Sequence, residues 1–99
     1  MADTDRELLE LAAKAVGEHP ISLATSPYKS WDPLGDDGDA LRLAVMLKID
    51  FQVRNAATWV KCPDADGWPF LHHEVHGNDP YAATRRAIVR AAAEIGRAM

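Results

Sequence analysis

The densest run of potential ligands in this 99-residue chain is His72-His73-Glu74-Val75-His76, with the single cysteine, Cys62, upstream of it. Imidazole, carboxylate and thiolate are the donors that zinc takes. On a strand, alternation would put His72, Glu74 and His76 on one face and His73 on the other. His72 and His76 would then lie about 13 Å apart at Cα, too far to share one ion, which leaves His72 with Glu74 as the tighter pair. We therefore read these as strand and turn residues and expect neither a bound metal nor a cofactor. Asp32, Asp36, Asp37 and Asp39 crowd a second stretch. A calcium loop needs D-x-[DN]-x-[DN]-G and a distal Glu. Here Leu34 stands at the third position, and capping of a helix accounts better for the acids.

Ser22, Ser26, Ser30 and Cys62 are nucleophiles by type only. The chain has no Gly-x-Ser-x-Gly elbow, Gly-rich phosphate loop or dinucleotide fingerprint. We expect a non-enzymatic protein. Trp59 and Trp68 have the chemistry of a stacking platform for a base or sugar, and that of core or loop anchors. Arg86, Arg90 and Arg97 fall on one stripe of the C-terminal segment. The stripe reads as a solvated face, with an anion or nucleic-acid contact as the sharper alternative. Glu94, four residues after Arg90, is placed to pair with it.

The elements that must position these groups are clear at the two ends. Thr4-Asp5-Arg6-Glu7 fits a capping box, and Leu8, Leu11, Ala12, Ala15 and Val16 follow at helical spacing up to Gly17. This predicts a helix over 5–16. At the other end, Asp79-Pro80 is a helix start, with the Asp side chain accepting from first-turn N–H groups. Ala83, Ala87, Ile88, Ala91, Ala92 and Ile95 then recur at three- and four-residue steps. That face is thin, so the final helix can lie close to a sheet, with Ala87 and Ala91 at the contact.

Between them, residues 18–38 read as a loop punctuated by proline and glycine, with Ile21-Ser-Leu-Ala as a short extended piece. Tyr28 and Trp31 stand out in it as aromatics suited to partner contact. Ala40–Leu47 predicts a short apolar helix, capped by Asp39 or Asp37 and buried on most sides. Ile49-Asp-Phe-Gln-Val-Arg alternates as a half-buried strand over 49–54. Strands over 58–62 and 69–75 follow after short connections, which makes an antiparallel meander. The fold class is α+β, a three-stranded antiparallel meander packed by helices in the order α-(loop)-α-β-β-β-α.

At this length one domain with one modest core is expected. Apolar residues make up 47% and charged residues 26%, which places the chain among globular proteins. The net charge of −4 argues against a dedicated DNA binder. Residues 1–50 carry five Lys/Arg against ten Asp/Glu, and from Pro80 onward there are four Arg and one Glu. Such an acidic front and basic tail can attract each other within a fold or between copies. A lone cysteine suits a reducing cytosol. No secretory leader or membrane span is read, so we expect a cytoplasmic location.

Trp31-Asp-Pro, Asp39-Ala40, Trp59 and the segment from Ala83 to Ile95 resemble small phage-encoded proteins of the phage α/β/α-sandwich domain family. The likeness covers about two thirds of the chain. It implies a phage or prophage origin and a small α+β fold, and it carries over no activity or catalytic residue. The function we expect is an accessory, protein-binding module whose partner is a phage or host protein, with self-association open. The alternative is a nucleic-acid-binding domain using Arg86, Arg90 and Arg97. Its helix, three strands and helix are similar in order to double-stranded RNA-binding domains.

Overall fold

The structure is a computed structural model and describes residues 4–18, 23, 30–61 and 71–99. Tyr28, Cys62, Trp68 and the extended piece read at Ile21 to Ala24, apart from Leu23, lie outside the described residues. Three helices and one sheet follow in the order α1 (Asp5–Ala15), α2 (Asp37–Leu47), β1 (Asp50–Val53), β2 (Ala57–Lys61), β3 (Leu71–Val75) and α3 (Pro80–Arg97). The fold is α+β, as the sequence predicts. The sheet is antiparallel with the order β1-β2-β3, the expected meander.

Local chemistry sets the helix ends. Thr4 Oγ1 accepts from the Glu7 amide at 3.2 Å, and Asp79 Oδ1 accepts from the Ala82 amide at 3.0 Å. Each satisfies a first-turn N–H that has no partner inside its helix. The start of α2 differs from expectation. Its cap is Asp36, which accepts from the Asp39 amide at 2.9 Å, so the helix begins at Asp37 and not at 40. Asp39 is buried and has another role. It accepts from the Asp32 amide at 2.9 Å and pairs with Arg42. One buried carboxylate thus fastens the 32–36 turn onto α2.

At its far end α2 stops at Lys48, whose φ of 55° is left-handed. The Ile49 amide then bonds to Ala44 O at 2.9 Å, and the chain passes directly into β1. The expectation that α2 is buried on most sides fails. Ala40, Leu43 and Ala44 are buried, whereas Leu41, Val45 and Met46 are exposed. The reason is that α2 packs on α3 alone among the major contacts.

Helix α3 is the hub. It packs against α1, α2, β2 and β3. Its buried residues are Ala83, Ala87, Ile88, Val89, Ala91, Ala92, Ala93 and Gly96, which wrap most of its circumference. At 3.6 residues per turn, Ala87 and Ala91 fall between Thr84 and Arg90, whose side chains reach β2 and β3. They therefore face the sheet, as expected. Val89, Ala93 and Gly96 fall on the opposite side, toward α1. There a Cβ on Gly96 would run into the carbonyl of Leu11. The burial of this second face departs from the one-face reading of α3.

These contacts predict the sign of two kinds of substitution. Gly96→Ala gains about 1 kcal/mol of helix propensity. The clash with the α1 backbone outweighs it, and thermal denaturation should show a net loss on the order of 1–3 kcal/mol. Ala87→Leu and Ala91→Leu should lose a similar amount by overpacking against the sheet. Variants that melt with the parent would contradict this packing.

Candidate functional site

The segment around β1 alternates as predicted, but of the expected apolar face Ile49, Phe51 and Val53, Ile49 alone is buried, and it precedes β1 itself. All four of its residues are exposed. The cause lies in where α3 runs. The helix packs chiefly on β2 and β3, so β1 lies beyond its footprint. Thr58 and Val60 on β2 are fully buried under α3, whereas their β1 neighbours Val53 and Phe51 are 58% and 36% exposed. Leu41 on α2 and Tyr81 at the start of α3 are 55% and 70% exposed.

These four side chains line one open groove of about 460 Å³. Its remaining walls are Ala40, Pro80, Thr84 and Ile88, with Asp37 and Arg85 as the charged lining. Arg85 fixes that wall. Its Nε donates to Leu34 O at 2.7 Å, and its Nη1 pairs with Asp37 Oδ1 at 2.6 Å. A volume of this order is typical of a ligand-sized cleft.

The groove lies beside a strand edge that is unpaired among the described residues. In the β1–β2 hairpin the Arg54 amide donates to Ala57 O at 3.0 Å. By the alternation of antiparallel ladders, Gln52 also directs its N–H and C=O to β2. Phe51 and Val53 then direct theirs away from the sheet, and no strand among the described residues meets them. An uncovered edge of this kind is a template for another strand.

The arginine stripe is not an array of free cations. Arg86 pairs with Asp5 of α1 at 3.0 Å, Arg97 with Glu94 at 3.4 Å, and Arg90 Nε lies 2.9 Å from Glu74 Oε1 on β3. The Arg90 Nε–H is not aligned along that contact, so the pair is electrostatic more than hydrogen-bonded. The expected Arg90–Glu94 pair is therefore replaced by two others, because the sheet brings Glu74 within reach of Arg90. Trp31 is partly buried and packs against the core. It lines a small cavity of about 70 Å³ with Val16, Leu23, Arg42, Leu43 and Met46.

The histidine strand splits its residues as alternation requires. His72 Nε2 lies 3.2 Å from Glu74 Oε1, and His76 Nε2 lies 2.8 Å from the hydroxyl of Thr58. Thr58 also meets Thr84 of α3 at 2.7 Å. These groups form a polar seam between the sheet and α3. On the opposite face of the sheet, His73 stacks on Trp59 at 4.6 Å between centroids, and the Arg54 guanidinium stands 5.6 Å from the ring centre. Both partners of the Trp59 ring come from the chain itself.

Comparison with known proteins adds no relative: no family model, curated protein or solved structure matches the chain. Among the described residues, no helix is long and apolar enough to cross a membrane. The residues that the sequence reading missed are Leu41, Tyr81 and Arg85, along with the exposure of Phe51 and Val53. Their one signal was a surplus of apolar positions on two neighbouring elements, α2 and β1.

The seam and the groove respond differently to substitution. Thr58→Val removes a hydrogen-bond partner of the half-buried His76 and Thr84 side chains and should cost about 1–3 kcal/mol. Phe51→Ser, at an open position, should leave stability within about 0.5 kcal/mol of the parent. Chemical denaturation of the two variants measures both. A large loss in the second would mean that Phe51 belongs to the core.

Proposed function

We propose that the protein is a non-enzymatic protein-binding module and that the groove between α2, β1 and α3 is its binding surface. One observation carries the reading. Leu41, Phe51, Val53 and Tyr81 are large, apolar and exposed together beside a strand edge that no described strand pairs. Solvated apolar clusters on a folded chain mark interaction sites. An extended segment suits this one: its main chain bonds to the edge of β1 while alternate side chains enter the groove. Trp31, packed against the core, then carries less of the binding than the groove does. The phage or prophage ancestry implied by the sequence resemblance, and a bacterial cytoplasmic setting, belong to this same proposal.

Nucleic acid is the second class to weigh. Against it stand the net charge of −4 and the carboxylates that partner Arg86, Arg90 and Arg97. Three neutralised phosphates would give a log–log salt slope of only about −2 to −3.

Two titrations test the proposal. Apolar peptides selected by display against the protein should shift backbone NMR signals of Leu41, Phe51, Val53 and Tyr81, and Phe51→Arg should abolish binding. Labelled duplex DNA and RNA should show no anisotropy change at about 150 mM salt. Peptides that shift only residues away from the groove would overturn the reading. So would tight duplex binding that disappears in an Arg86→Ala, Arg90→Ala, Arg97→Ala variant.

A further inference from the structure

We infer that the occupant of the β1 edge is a second copy of this chain, paired antiparallel about a two-fold axis through Gln52. The inference rests on the reading of the groove as the binding surface and adds the identity of the partner.

Hydrogen-bonding parity limits how two such edges can meet. Phe51 and Val53 direct their main-chain groups outward, and Asp50, Gln52 and Arg54 direct theirs to β2. Two such edges can pair only in registers that set outward residues against outward residues. A dyad on Gln52 does so: Phe51 and Val53 of the second copy exchange both main-chain bonds, and the symmetry repeats the exchange. Gln52 then faces its own copy, side-chain amide to side-chain amide.

Charge selects this register among its neighbours. With the dyad on Gln52, Asp50 stands across from Arg54 of the second copy, twice over. Directly opposed side chains of opposite charge attract, and like charges repel. Moving the dyad to Phe51 sets Arg54 across from Lys48. Moving it to Val53 sets Asp50 across from Ala56. Each copy is therefore self-complementary in one register, which is what a two-fold interface requires.

Side-chain faces agree with the pairing. Asp50, Gln52 and Arg54 share the outer face, so polar meets polar there. Phe51 and Val53 share the groove face, where an aromatic meets a β-branched residue across the strands. The two grooves then lie side by side, which brings Leu41 and Tyr81 of both copies to one apolar surface. Arg54 lies along the outer face of the strand, where its Nη2 donates to Gln52 Oε1 at 2.8 Å. The short strand makes a small interface, so the dimer should dissociate in the micromolar range.

Sedimentation velocity from about 1 µM to about 1 mM tests the inference on the full chain. The parent should pass from monomer to dimer in that range. Asp50→Arg and Arg54→Asp each place like charges opposite one another at both ends of the pair, and each should weaken the dimer by about tenfold or more. The double variant Asp50→Arg, Arg54→Asp restores opposite charges and should recover the dimer. Both positions are exposed, and circular dichroism checks that each variant is folded. A parent that stays monomeric throughout overturns self-pairing and leaves the groove reading to the peptide titration. A dimer indifferent to the single reversals, or one that the double reversal fails to restore, also overturns it.

Discussion

The close approach of α3 to its neighbours is the constraint on which the rest of the structure depends. A helix can serve as the hub of a small domain only if backbones on several sides come near its axis. Alanine and glycine permit this. Ala87 and Ala91 face the sheet, Val89 and Ala93 face α1, and Gly96 leaves no room for even a methyl group against Leu11. The stability gained per residue on such thin faces is small, since burial scales with apolar area. What the faces supply instead is position. They fix α1 and the sheet on opposite sides of one helix, and the polar seam of Thr58, Thr84 and His76 holds the sheet in place across that contact.

That arrangement has a cost that becomes a feature. One helix covers the width of about two strands, because strands lie about 4.8 Å apart and a helix is about 10 Å across. The third strand must fall outside unless another element covers it. The α2 helix does not, because Arg85 bonds it and the 32–36 turn onto α3 and leaves Leu41 and Val45 facing outward. The groove is the gap that remains between α2, β1 and the first turn of α3. Its apolar lining is thus a consequence of the same packing that makes the core.

Much of the architecture was legible in the sequence because it rests on local signals. Caps at Thr4 and Asp79, alternation at Ile49 to Arg54, and the short 54–57 connection each act over a few residues. The meander followed from them. The start of α2 was misplaced because three acids compete for one cap, and only the burial of Asp39 decides that Asp36 holds it. The site was less legible for a different reason. Alternation tells which residues of β1 share a face, and it is silent on what lies over that face. The arginine stripe was a true helical stripe. Its chemistry depended on Asp5 and Glu74, which only the folded chain brings to Arg86 and Arg90.

The central claim is that β1 is an edge strand beyond the reach of α3, open to solvent on the side away from β2. Amide hydrogen exchange by NMR, in a solution dilute enough to keep the chain monomeric, tests this most directly. The amides of Gln52 and Arg54, bonded to β2, should be protected. Those of Phe51 and Val53 should exchange freely. Equal protection of all four, or protection of Phe51 and Val53 alone, would mean that another part of the chain already covers the edge and would contradict the account.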